Sequence, residues 1–197
     1  MQKDSRELRA VIEAAQRGDE QAFEKLLGYL EQPVWRLALH LTGQREDAED
    51  AVQETLIKLW RSLPFYRFEC PILPYVLRIT RHVVIDRRRH DARREQSTVS
   101  LTVQNEQGEY VEQDVADPDD NANPALAYER EQRILAVHRA IDELSEEFRE
   151  VLILKELQNA SYEQIGQILG LQEGTVKSRL FRARKKLAEI LKARNIF

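Results

Sequence analysis

Near the C-terminus the residues able to do chemistry are cations at helical spacing. From Thr175 to Arg194 the chain holds Lys177, Arg179, Arg182, Arg184, Lys185, Lys186, Lys192 and Arg194 against Glu189 alone, and eight less one gives a local charge of +7. In a chain whose formal net charge is −4, that segregation favours a polyanion partner. Guanidinium and ammonium groups in such a row pair with phosphates and, from within a groove, with base edges. A second row, Tyr75 to Arg94, carries Arg78, Arg81, Arg87, Arg88, Arg89, Arg93 and Arg94 against Asp86 and Asp91, seven less two being +5. The two rows hold eight plus seven, fifteen of the thirty Lys and Arg residues. A third set is acidic: Asp47, Asp50, Gln53 and Glu54 share one helical face. Acids suit the positive end of a helix, which accounts for Glu46 and Asp47, with Asp50 at the limit of its reach. Glu54 lies two turns in, so a docking face for a cationic partner is the competing reading.

Bond-breaking chemistry finds no such support. There is no phosphate-cradling Gly loop and no nucleophile beside a base at motif spacing. The four His residues, 40, 82, 90 and 138, lack ligand spacing, and Cys70 is the one cysteine. An internal disulfide and a Cys-rich zinc site are thereby excluded, and no metal or cofactor is expected.

The elements that position these groups are helices. With 42% hydrophobic and 32% charged residues, seven Gly and six Pro, and apolar repeats of period three to four, the chain reads as all-α. Ser161-x-x-Gln164 has the form of a capping box, Ile165, Ile168 and Leu169 supply an inward face, and Gly170 a left-handed end. Gly166, which weakens a helix by roughly 1 kcal/mol relative to Ala, is explained by close approach of a second helix. The chain restarts near Glu173 and Thr175, with Val176, Leu180, Ala183 and Leu187 as its apolar stripe. Two short helices joined by a tight turn, the second basic, are a helix-turn-helix.

Earlier in the chain, residues 5–17 read as a first helix closed by Gly18, and Asp19 caps a second through Ala22, Phe23, Leu26, Leu27 and Leu30. Pro33 opens a third, lined by Val34, Leu37, Ala38 and Leu41 and ended by Gly43. In the next, Val52, Leu56, Leu59 and Trp60 are expected to face inward. The loop LPFYRFECPILP carries Phe65, Tyr66, Arg67 and Phe68, either a stacking platform for unpaired bases or a hydrophobic plug. Behind it Val76, Ile79 and Val83 line the basic helix. From Gln96 the periodicity stops. Asn105 to Ala125 holds seven acids and no Lys or Arg, so 95–124 reads as a flexible acidic linker. Order returns near Pro124, with a helix to Leu144 and another after Ser145, whose Val151, Leu152, Leu154 and Leu157 pack under the helix-turn-helix. No stretch approaches the roughly 18 apolar residues of a membrane span, and MQKDSRELRA lacks a signal-peptide core, so a cytoplasmic protein without membrane insertion is expected.

Taken together, DAEDAVQETLIKLW, YVLRITRHVVIDRRR, the acidic spacer and AIDELSEEFREVLILKEL…SYEQIGQILGLQEGTVKSRLFRARKKL resemble the extracytoplasmic-function group of bacterial RNA polymerase sigma factors. The resemblance implies two small helical domains: a σ2-like bundle, 1–94, and a σ4-like helix-turn-helix domain, 125–197, joined by 95–124. It implies a subunit with no catalytic act of its own. Its partners would be core RNA polymerase, through the β′ clamp helices and the β flap, promoter DNA, and an anti-sigma factor. Carried over by position, Asp47, Asp50, Gln53 and Glu54 resemble the contact to the clamp helices. Phe65, Tyr66, Arg67, Phe68, Arg78, Arg81, His82, Arg88 and Arg89 fall where the −10 element is read. Thr175, Lys177, Ser178, Arg179, Phe181, Arg182, Arg184 and Lys185 fall where the −35 element is read, with Ser178, Phe181 and Arg182 toward bases and Lys177, Arg179, Arg184 and Lys185 toward phosphates. The chain departs from the family at Phe68, Ile72 and Tyr75-Val76, where relatives usually carry Gly, Phe and Trp-Leu. That leaves the −10 base preference open. A self-sufficient helix-turn-helix regulator is the alternative, although the strands and acidic pocket of a receiver domain are missing.

Overall fold

The computed structural model describes residues 2–97 and 136–194, and among these there is no strand. They divide into two compact units, one holding helices α1–α4 and the other most of 136–194.

In the first unit, α1 (Gln2–Gln16) buries Ile12 and Ala15. Gly18, at φ 90°, turns the chain, and the Asp19 carboxylate accepts from the Ala22 amide at 3.0 Å to start α2 (Glu20–Thr42). Pro33 does not open a helix: it lies inside α2. An interior proline costs about 3 kcal/mol. Here the buried row Ala22, Leu26, Leu30 continues in register beyond it as Val34, Leu37, Ala38 and Leu41, and each large apolar side chain buried contributes roughly 1.5–3 kcal/mol. Packing outweighs the lost hydrogen bond. Gly43, at φ 76°, ends the helix.

Helix α3 (Arg45–Ser62) is rotated from the expected face: its buried residues are Ala48, Ala51, Thr55 and Leu59. Val52 and Leu56 are half-buried at the flanks, and Trp60, 42% exposed, closes edge-on over Phe23 with centroids 4.6 Å apart. Small side chains at 48 and 51 admit close neighbours, and Thr55 returns its hydroxyl to the Ala51 carbonyl at 2.7 Å, so a polar residue is satisfied in the core. In α4 (Ile72–Ser97) the inward residues include Ile72, Val76, Leu77, Thr80, Val83 and Val84. Ile79 is half-buried rather than central.

The second unit has helical residues 136–142 (α5), α6 (Glu146–Leu152), α7 (Tyr162–Leu169) and α8 (Glu173–Ala193). After α6 the backbone widens into a π turn over Ile153–Leu157, where the Gln158 amide donates to the Ile153 carbonyl at 3.1 Å. Val151, Leu152, Ile153 and Leu154 are all buried, a consecutive run in which Leu157 is only half-buried. The Arg149 guanidinium donates to the carbonyls of Asp142 and, at 3.3 Å, Leu144, closing the end of α5. The Ser161–Gln164 capping box forms with both bonds, at 3.1 and 2.8 Å. Gly170 is left-handed at φ 69°.

The close approach at Gly166 comes from the turn and not from a helix. The Leu171 amide donates to the Gly166 carbonyl at 2.9 Å, and a Cβ on Gly166 would stand 2.6 Å from the Leu171 carbonyl oxygen. Val176, Leu180 and Ala183 then seat α8, with Leu187 half-buried. The linker expected over 95–124 starts later than its composition implies, since α4 runs on to Ser97; the rest of it, and the helix start near Pro124, lie outside the described residues. No described helix is long and apolar enough to cross a membrane, and no group of His, Cys, Asp and Glu among the described residues could hold a metal ion.

Candidate nucleic-acid and docking surfaces

On α8 the inward stripe fixes what faces out. Thr175, Ser178, Phe181, Arg182 and Lys185 are exposed and recur every three or four residues on one face. Phe181 is 71% exposed, an orientation that leaves a full aromatic face to water unless a partner covers it. Arg182 and Lys185 make no ion pair among the described residues. The other cations are held inside the unit. Arg179, with its side chain 21% exposed, pairs with Glu147 at 3.2 Å. Arg184 gives two bonds to one Glu156 oxygen, at 3.0 and 2.6 Å. Lys177 pairs with Glu173 at 3.2 Å and sits 5.5 Å from the centre of the Tyr162 ring. The face thus sorts into an open row, 175, 178, 181, 182 and 185, and flanking cations tied to acids on α6, in the π turn after it and at the start of α8.

In the first unit the loop after α3 splits its aromatics. Phe65 is 80% exposed, whereas Tyr66 is buried. The Tyr66 ring packs against Phe68 and Tyr75, centroids 4.8 and 5.0 Å away, and its hydroxyl donates to the Cys70 carbonyl at 2.5 Å. Gln16 of α1 locks the loop by donating to the carbonyls of Leu63 and Tyr66, at 3.0 and 2.7 Å. Phe68 adopts a left-handed φ of 58°, and the Arg9 guanidinium lies 4.6 Å from its ring centre. Of the two readings of this loop, plug describes Tyr66, and Phe65 and Arg67 stay open to a partner.

Burial, with the neighbouring Cys70 and Tyr75, pushes the Tyr66 phenol from 10.0 up to about 12. An unfolded tyrosine releases its proton near 10, so the folded state retains the proton through that window. The contribution is complete below pH 10 and is lost as pH rises toward 12. A tyrosinate absorbance titration is expected to show one late-titrating phenol that disappears in Tyr66→Phe; survival of the late phase in that variant would contradict the buried pillar.

On α4, Arg78 stands over the Tyr75 ring at 5.8 Å. Arg78, His82 and Arg89 are exposed and Arg81 is half-buried. Burial, then the charges of Arg81 and Arg78, holds the His82 imidazole below its ordinary value. Arg88 turns inward and donates to the Leu41 carbonyl at the end of α2, a helix C-terminus that a cation suits. Phe65, Arg67, Arg78, His82 and Arg89 are therefore the open members of this set, and Tyr66 and Arg88 are built into the fold.

The acidic row on α3 has a partner that its own spacing does not reveal. Asp47, Asp50 and Gln53 are exposed and Glu54 is half-exposed. Arg87, reaching from α4, gives Nη1 to Asp50 at 3.1 Å and Nε to Glu54 at 3.2 Å, and Lys58 meets the other Glu54 oxygen at 3.0 Å. Burial alone would raise the Glu54 carboxyl, but hydrogen bonds from Lys58 and Arg87 and their charges hold it below its ordinary value. Arg87 is raised in turn: burial opposes its charge, and the bonds to Asp50 and Glu54 prevail.

The first unit is thus a helical bundle with an internally paired acidic row, and the second has the build of a DNA-binding helix-turn-helix with an open polar-aromatic row. Residues 26–94 match the family model for sigma-70 region 2, and residues 134–187 that for sigma-70 region 4. The chain is 30% identical to the RNA polymerase sigma-H factor of Pseudomonas aeruginosa over 92% of each chain. It is 30% identical to the extracytoplasmic-function RNA polymerase sigma-E factor of Haemophilus influenzae, over 90% of this chain and 92% of that one. Among solved structures it is similar to the sigma factor RpoE of Bartonella quintana in complex with the anti-sigma factor NepR, with 26% identity, a TM-score of 0.62, and 86% of this chain and 96% of that one covered. The chain belongs to the extracytoplasmic-function group of RNA polymerase sigma factors.

Proposed function

We infer that this chain is a promoter-specificity subunit: it binds core RNA polymerase and directs initiation at promoters through a −10 and a −35 element. The observation that carries this reading over a self-sufficient regulator is the acidic row on α3, exposed on a helical bundle where a regulator would carry a sensing domain. Residues 1–94 serve as the docking and −10 domain, 95–124 as the tether, and 125–197 as the −35 domain. Asp47, Asp50, Gln53 and Glu54 meet the polymerase clamp. At the −35 element Ser178, Phe181 and Arg182 meet bases, and Lys185 and the flanking Lys177, Arg179 and Arg184 meet phosphates, the last three by exchanging internal carboxylates for them. At the −10 element the exposed Phe65, Arg67, Arg78, His82 and Arg89, with the half-buried Arg81, are the direct contacts, held in place by Tyr66, Phe68 and Arg88. The subunit acts on DNA in the cytoplasm, performs no bond-making step, and needs no cofactor. The Bartonella relative was solved with an anti-sigma factor, and a protein of that class is a partner here too.

Asp50→Asn combined with Glu54→Gln is expected to weaken core-polymerase binding about tenfold or more, as removal of charges from a docking pair does, while the melting curve stays nearly unchanged. Neutral amides are preferable to lysines at these positions, because Lys would confront Arg87. Equilibrium binding to core polymerase decides the assignment. Wild-type affinity in a folded double variant would remove the row from the docking surface.

A further inference from the structure

The acids of the α3 row are already partly neutralised within the chain. Asp47, Asp50 and Glu54 supply three negative charges, and Arg87 and Lys58 return two positive ones at hydrogen-bonding distance. Lys58 is a neighbour of Glu54 on α3, as any helix surface offers. Arg87 comes from another helix and spans both acids with two of its nitrogens, at 3.1 and 3.2 Å. Its side chain is 35% exposed, less than the 61% of Asp50 and level with the 37% of Glu54, and its two bonds occupy lone pairs that a cationic partner must use. Both Glu54 oxygens are engaged, one by each cation. A partner reaching Glu54 must displace a charge that the fold itself provides.

We propose that Arg87 is an exchangeable internal counterion, which competes with polymerase for Asp50 and Glu54 and so lowers the docking affinity. The proposal rests on the assignment of the α3 row to polymerase docking. Its physics is that of a partly exposed ion pair: each such contact is weak in water, and it is therefore released when a better-placed partner cation arrives. The cost of release is subtracted from the docking affinity. A residue that merely oriented the acids would have the opposite sign, because its loss would scatter the two carboxylates and weaken docking.

The experiment measures binding of the full chain to core polymerase, without DNA, for wild type, Arg87→Ala, Arg87→Gln and Arg36→Ala, across a salt series. Arg36 is exposed on α2, and its loss removes the same charge without freeing the acids. The proposal expects Arg87→Ala and Arg87→Gln to bind roughly three- to tenfold more tightly than wild type, the effect of releasing two exposed contacts. The gain should shrink as salt screens the pair and should clearly exceed that of Arg36→Ala. Weaker or unchanged binding in both Arg87 variants, or an equal gain in Arg36→Ala, overturns it. Asp50→Asn/Glu54→Gln separates the two failures. If that variant loses docking while the Arg87 variants gain nothing, only the counterion role falls; if it docks as wild type, the docking assignment falls first.

Discussion

Gly166→Ala is expected to destabilise the helix-turn-helix unit by about 1–3 kcal/mol, the cost of forcing an extra carbon into a packed site, even though Ala is the better helix former by about 1 kcal/mol. The added Cβ would lie 2.6 Å from the Leu171 carbonyl oxygen. That oxygen belongs to a backbone tied back by the Leu171 amide to Gly166 itself, and it has no rotamer through which to escape. The turn must open. Opening it moves the start of α8 and, with it, Ser178, Phe181 and Arg182. Gly174 supplies the control, since nothing lies within 4 Å of a Cβ built there; Gly174→Ala should be neutral or stabilising by about 0.5–1 kcal/mol. Denaturant unfolding of both variants, read by circular dichroism, makes the comparison. If Gly166→Ala stabilises as Gly174→Ala does, the turn does not constrain this glycine.

Arg182→Ala should lose roughly 1–3 kcal/mol of −35 binding and relax the preference at one or two positions, because a guanidinium on the open face pairs with the O6 and N7 edges of a guanine. Lys185→Ala should weaken binding to all sequences alike and reduce the slope of affinity against salt by about one unit, as a lost phosphate contact does. Both residues are exposed, so the fold should tolerate either change. The measurement is transcription from a promoter library randomised at the −35 element, with each variant on the same core polymerase. A uniform loss for Arg182→Ala, with altered base preference for Lys185→Ala, would mean that the helix enters the groove rotated from this assignment.

These variants rest on the part of the fold that local chemistry made legible. Ser161, Gln164 and Gly170 form their cap and stop within a few residues of one another, and Val176, Leu180 and Ala183 are buried at helical spacing as their pattern implies. Legibility fell where one residue's role depends on another far along the chain. Pro33 reads as a helix start until the buried row on both sides shows that packing carries α2 through it. The apolar repeat of α3 points Val52, Leu56, Leu59 and Trp60 inward, whereas the bundle buries Leu59 together with Ala48, Ala51 and Thr55, because close packing rewards small side chains that a hydrophobicity pattern underweights. At the sites the same limit applies. Arg87 and Arg88 are adjacent in one basic run, yet one turns to acids on α3 and the other to the Leu41 carbonyl. Arg184 and Glu156 lie 28 residues apart, and no spacing rule joins them. Tyr66 was one aromatic among three until Gln16 and Cys70 fixed its place.

The most direct test of promoter specificity conferred on polymerase is to reconstitute the full chain with core RNA polymerase and sequence the promoter DNA it retains and transcribes, beside the chain alone on the same DNA. The account predicts that the holoenzyme selects fragments sharing paired −10 and −35 sequences and starts transcripts downstream of them, whereas the chain alone binds the same duplexes poorly. Tight, sequence-specific duplex binding by the chain alone, with no selection gained from polymerase, would contradict it.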